Sequence, residues 1–154
     1  MIKRGKSISP ENVEKVFLLG EKVSTIPEVV LLYLFGSCAV EKMTALSDID
    51  LAVLLEGNPS TEKSFDLLCR LTDLISETIE TDEFDLIDIN AAPLTMKYQI
   101  IRTGKILYAR SNKERADFEE RTRALFFDFE PRLREYYQQL FRKIKAGDPS
   151  WLTR

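Results

Sequence analysis

Seven consecutive apolar residues, Val29-Val30-Leu31-Leu32-Tyr33-Leu34-Phe35, leave this chain few choices. The run is rich in β-formers and bounded by Pro27 and Gly36, the pattern of a strand buried on both faces. A second stretch, Asp48-Ile49-Asp50-Leu51-Ala52-Val53-Leu54-Leu55, begins with alternation and becomes wholly apolar, so it reads as a central strand with one polar end. Phe84 to Ile89 reads as a third strand, ending at Asn90, and Lys105 to Ala109 as a short fourth. With helical segments between these strands, the expected fold class is α/β (α+β).

The helices are marked by periodicity and caps. Ser9 is placed as an N-cap with Pro10 at the first helical position, opening a helix to about Lys22. Gly57-Asn58-Pro59-Ser60 is a turn. After it, Phe65, Leu68, Leu71, Ile75 and Ile79 recur at helical spacing and define an amphipathic helix from about Thr61 to Glu80. Pro93 opens a further helix to about Thr103, closed by Gly104. Asn112 to Ala146 is helical in character, with Pro131 expected to kink it or to start a second helix. Its aromatic residues, Phe126 to Phe141, are expected to pack on the sheet of their own domain, with a subunit or partner interface as the other use for them. The expected organisation is a first unit over residues 1–110, a helical extension packed on the same domain over 111–146, and a loose tail over 147–154.

Bulk properties exclude several classes. The 154 residues are 44% hydrophobic and 31% charged, which suggests neither disorder nor a membrane span. Met1 to Ser7 carries no apolar signal region, so a cytoplasmic protein is expected. The formal charge of −3 argues against a general polyanion binder, so no strong nucleic-acid binding is expected. Cys38 and Cys69 lack the paired spacing of a zinc site and read as reduced thiols. There is no histidine, which removes Ser-His and Cys-His hydrolases and imidazole bases. Chemistry in this chain must run on carboxylates and hard cations.

Gly36-Ser37 follows a buried strand, and ten residues separate it from Asp48-Ile49-Asp50 at the head of the next. Glycine at a strand end permits close backbone approach, and the Ser37 hydroxyl could meet phosphate oxygens there. Strand alternation points Asp48 and Asp50 to one face, where two like charges repel unless a divalent cation lies between them. Mg²⁺ suits such an oxygen shell, completed by substrate phosphates. A two-metal phosphoryl-transfer site needs a third acid. Asp85 and Asp88 are the candidates, on opposite faces because their separation is odd; Asp85 is chosen, and Asp88 serves if the strand bulges or starts later. Ser47 is read as a loop hydroxyl that fixes the Asp48 backbone.

At these residues the chain resembles the minimal nucleotidyltransferases of the polymerase-beta-like superfamily. Gly36-Ser37, Asp48 and Asp50 match the family's Gly-Ser, ten residues, Asp-x-Asp signature, and Phe84-Asp85-Leu86-Ile87 looks like its third-carboxylate strand. Family members commonly carry Ala-Arg-Gly after Gly-Ser-x, whereas this chain has Ala39-Val40-Glu41. Gly104 to Tyr108 and the helix carrying Phe126-Phe127-Asp128 look like the C-terminal part of members that act as antitoxins beside HEPN ribonuclease toxins. The resemblance implies a small mixed sheet flanked by helices and a C-terminal helical segment. It implies catalytic and metal-binding roles for Asp48, Asp50 and Asp85, and nucleotide contacts at Gly36, Ser37 and Ser47. The implied activity is Mg²⁺-dependent transfer of AMP from ATP to a tyrosine of a HEPN toxin. Competing readings are a nucleotidyltransferase for a small molecule of the aminoglycoside type and an antitoxin that inhibits by contact alone.

Overall fold

The computed structural model describes residues 9–36 and 49–152, so Ser37, Ser47 and Asp48 lie outside the described residues. Four strands form one mixed sheet: β1 (Val29–Phe35), β2 (Ile49–Leu55), β3 (Phe84–Asp88) and β4 (Lys105–Ala109), in the order β3-β2-β1-β4. β1 is antiparallel to both β2 and β4, while β2 and β3 run parallel. The parallel pair is joined by the helical crossover α3 (Thr61–Ile79), as parallel connections require.

One face of the sheet is covered by α1 (Pro10–Val16), α2 (Leu19–Val23) and α3. Leu32 and Leu34 of β1 and Leu51 and Val53 of β2 meet Leu71, Ile75 and Ile79 of α3 there. The other face carries Leu31, Tyr33, Ala52 and Ile89, packed against Ile100 and Ile101 of α4 (Leu94–Thr103) and Phe118 of α5 (Asn112–Lys145). Among the described residues, no helix is long and apolar enough to cross a membrane.

Three details depart from expectation, each for a local reason. The N-terminal helix is broken at Phe17 and Leu18 into α1 and α2. The break turns α2 onto β4, where a Cβ on Gly20 would collide with the Leu107 carbonyl, and it lets Val16, Leu19 and Val23 all be buried. Ser9 caps α1 through the Asn12 N–H, and the Asn12 side chain donates to the Ile79 carbonyl at 2.6 Å, tying α1 to the end of α3. Second, α5 continues through Pro131 as one helix, so no second helix starts there. A proline removes one helical donor, and on an exposed helix water can satisfy the freed carbonyl. Third, the segment after Gly147 contains a turn of 3₁₀ helix at Pro149–Leu152, entered through Gly147 at φ +70°.

The aromatic residues of α5 do not pack on the sheet as expected. Phe127, Tyr136, Tyr137 and Phe141 are all exposed, Phe141 by 59%. Only the first half of α5 meets the body of the protein, where Thr122 is buried and Phe118 joins the core. At Phe126 the helix still touches α4, its ring stacked on Tyr98 with centroids 3.8 Å apart. Beyond that point α5 outruns the surface that could cover it, since 34 residues extend about 50 Å.

A polar clamp fixes α5 to the central strand. The buried Tyr33 hydroxyl donates to Glu119 Oε1 at 3.0 Å, and Arg115 Nε and Arg123 Nη2 donate to the same carboxylate at 2.8 and 2.9 Å. Burial, reinforced by the Glu119 charge, pushes the Tyr33 hydroxyl well above its ordinary value. Burial alone would raise the Glu119 carboxyl, but the hydrogen bonds from Arg115, Tyr33 and Arg123 outweigh it and hold the group below its ordinary value.

Two outcomes follow from this packing. Leu71→Ala, at a fully buried site, is expected to cost about 2–5 kcal/mol in a denaturant titration, while Phe141→Ala should stay within about 0.5 kcal/mol. A raised tyrosine value means that stability is fully present below the unfolded value near 10 and is lost as pH rises through the folded one. A spectrophotometric alkaline titration should therefore show a delayed phenolate component that is absent from Tyr33→Phe.

Candidate active site

The register of the sheet sets two acids side by side. Asp50 of β2 is the Cα partner of Asp85 on β3 and, on its other side, of Phe35 on β1. Neighbouring strands lie about 4.8 Å apart, so the two aspartates begin within reach of a shared cation. Parity gives their direction. Ala52 and Leu54 of β2, and Ile87 and Ile89 of β3, belong to the cluster packed against α4 and α5. Asp50 and Asp85 share their parity and so rise from that same face, at the polar end of the strands.

Asp88 is turned away. It has the parity of Phe84 and Leu86, which pack on the α3 side, and its Oδ1 accepts the Asn90 N–H at 2.9 Å. Asn90 in turn clamps the end of β2: its Oδ1 accepts the Leu55 N–H at 2.8 Å and its Nδ2 donates to the carbonyls of Leu55 and Gly57. Asp88 therefore shapes the turn after β3, and Asp85 is the acid of that strand that shares a face with Asp50.

Gly36, immediately after β1, adopts φ +71°, and a Cβ there would collide with Asp50 Oδ2. Both constraints require glycine: the torsion is one that L side chains rarely take, and the space is filled by a carboxylate. The structure thus brings Gly36, Asp50 and Asp85 together. Ser37, Ser47 and Asp48 fall outside the described residues, and among the described residues no group of three or more potential metal-ligating side chains occurs.

One feature of this face escaped sequence reasoning. Tyr33 pairs with Ala52, two residues along from the Phe35–Asp50 row, so the Tyr33–Glu119–Arg115–Arg123 clamp stands one row from the acids. Its signals were present as the single hydroxyl in an apolar strand and as Arg, Glu and Arg at four-residue spacing, but nothing local joins the two. A cavity of about 440 Å³ occupies the other end of the strands, lined by Leu54, Asn90, Lys97, Phe118 and Arg121 among others.

Comparison with known proteins agrees with this arrangement. Residues 13–113 match the family model described as polymerase beta, nucleotidyltransferase. The protein adenylyltransferase MntA of Aphanizomenon flos-aquae (strain 2012/KM1/D3) is 28% identical over 109 residues, covering 64% of this chain and 69% of that protein. Among solved structures, a toxin–antitoxin complex with AMP-PNP contains a chain with TM-score 0.65 and 22% identity, covering 84% of this chain and 98% of its own. A chain of the complex between a tri-AMPylated Shewanella oneidensis HEPN toxin and its MNT antitoxin matches with TM-score 0.59 and 22% identity, covering 84% of this chain and 96% of its own. A family match spanning most of the chain, on a fold with the same layout, identifies this protein as a member of the polymerase beta nucleotidyltransferase family and an enzyme of nucleotidyl transfer.

Proposed function

We propose that the chain is an antitoxin that transfers AMP from ATP to a tyrosine of a partner HEPN ribonuclease toxin in the cytoplasm, using Asp48, Asp50 and Asp85 with Mg²⁺. The observation that carries this reading is the cross-strand pair Asp50–Asp85 with Gly36 held against the Asp50 carboxylate. Similarity to a named protein adenylyltransferase and to the fold of chains solved with AMP-PNP and with an AMPylated toxin supports the choice of donor and acceptor.

The donor set fits a hard cation. Paired carboxylates are the oxygen shell that Mg²⁺ prefers. When bound, Mg²⁺ neutralises phosphate charge and makes an acceptor hydroxyl easier to ionise. Asp50 and Asp85 would hold the cation, with Asp48 as the third ligand, and Gly36, Ser37 and Ser47 would contact the phosphates. The tyrosine oxygen attacks the α-phosphorus in line, the bond to pyrophosphate breaks, and the phenolic proton passes to solvent. A tyrosine acceptor suits a chain without histidine, because its reference pKa of about 10 leaves less work for a base than an aliphatic alcohol does.

A second reading is inhibition by contact. It is favoured by the exposed aromatic side chains of the distal half of α5, such as Phe127, Tyr136 and Phe141, which offer a surface for a partner protein.

Incubating the chain with Mg²⁺, ATP and the protein encoded beside it tests the two by intact mass. Addition of AMP units supports transfer, whereas tight complex formation without added mass supports contact inhibition. Asp50→Asn and Asp85→Asn are each expected to lower the transfer rate by about a thousandfold, as loss of a metal ligand does in a site that works by charge neutralisation. Asp88→Asn should remain within a few-fold of the wild type. Gly36→Ala should lower transfer by at least about a hundredfold by displacing Asp50, and thermal unfolding of the same variant should register the torsional strain.

A further inference from the structure

The segment of sequence that leads to the acids is poor in positive charge. Between Gly36 and Asp50 the sequence holds one cation, Lys42, against Glu41 and Asp48. A nucleoside triphosphate brings about four negative charges to this row of carboxylates, so bound cations need help from side chains. Among the described residues, the row beside the acids on this face is Tyr33, Ala52 and Ile87, none of them cationic.

The help stands on α5. Arg115, Glu119 and Arg123 follow one another at four-residue spacing and so share one flank of the helix. Phe118, Arg121 and Leu125 occupy the other flank and line the cavity at the far ends of β2 and β3. The first flank is the one that reaches Tyr33. With strand spacing and rise combined, the Tyr33 and Asp50 Cα atoms are about 8 Å apart, so the clamp rises from the row next to the acids on the same face. Two guanidiniums share a single carboxylate there, leaving a net positive charge. Glu119 is only 12% exposed, whereas Arg115 and Arg123 are 40% and 45% exposed, so the anchor is buried and the cations remain accessible. A clamp needed only to fasten α5 to the sheet would be complete with one arginine.

We propose that Arg115 and Arg123 bind the β- and γ-phosphates of the donor nucleotide, and that Glu119, fixed by the Tyr33 hydroxyl, is the positioning residue that aims them. This rests on the ATP-dependent reading above. Arginine suits the role because its planar fork can serve a carboxylate with one edge and a phosphate with another. Glu119 also spares the arginines from drifting toward Asp50 and Asp85, which would otherwise attract them.

Calorimetric titration of the full chain with AMP-PNP and Mg²⁺, and separately with AMP, tests the assignment. Arg115→Gln and Arg123→Gln are each expected to weaken AMP-PNP binding by about tenfold or more, the usual effect of losing a charge-assisted hydrogen bond, and to change AMP binding by less than about twofold. Arg123→Lys should recover part of the loss. Lys113→Gln, on the solvent side of α5 and paired with Asp117, removes the same charge and should change neither ligand. Glu119→Gln adds net positive charge, so simple attraction would tighten AMP-PNP; a positioning role requires weaker binding. Unchanged AMP-PNP affinity in both arginine variants, or equal losses for AMP and AMP-PNP, overturns the inference and leaves nucleotidyl transfer standing. A wild-type chain that gives no heat with AMP-PNP overturns the ATP-dependent reading, and this assignment with it.

Discussion

Two like charges held side by side on neighbouring strands are the constraint around which this protein is arranged. Asp50 and Asp85 are direct cross-strand partners, and carboxylates so placed repel one another unless something positive joins them. The arrangement persists because β2 and β3 have little freedom to slip. Leu51 and Val53 on one face and Ala52 on the other are fully buried, and a shift of one residue would exchange the faces. Asn90 adds a second lock at the far end, bonding both backbone groups of Leu55. Gly36 then presses the end of β1 against the Asp50 carboxylate, so the acid is confined from the β1 side as well.

The two helical layers divide the work. α1, α2 and α3 close the face opposite the acids, where the larger of the two buried clusters lies. α4 and the first half of α5 pack on the same face as the acids, through Ile100, Ile101 and Phe118. The Tyr33–Glu119 bond ties that helix to the central strand, in addition to its packing on α4. The distal half of α5, freed from any such duty, carries exposed rings and the basic residues Arg142, Lys143 and Lys145 near its end.

Much of this was legible in the residues. The boundaries of β1 and β4 stand where the apolar runs and glycines put them, and α3 begins at its Ser60 cap as the turn before it implied. Odd separation set Asp85 and Asp88 on opposite faces, and the register of β3 against β2 puts Asp85 beside Asp50. Contacts between distant segments were not legible. The break between α1 and α2 depends on Gly20 meeting the Leu107 carbonyl, and the Tyr33–Glu119 bond joins residues 86 apart in sequence. Whether α5 continued past Pro131 or restarted there was not legible, because a proline is compatible with either. Asp48, Ser37 and Ser47 lie outside the described residues, and the case at the site therefore rests on Gly36, Asp50 and Asp85.

The central claim, that Asp50 and Asp85 form one cation-binding site for nucleotidyl transfer, is tested most directly by anomalous diffraction from crystals grown with AMP-PNP and Mn²⁺ in place of Mg²⁺. The account predicts an anomalous peak within coordination distance, about 2.2 Å, of carboxylate oxygens from both residues. Bound nucleotide with no peak between them, or a cation held through Asp88 on the opposite face, would contradict it.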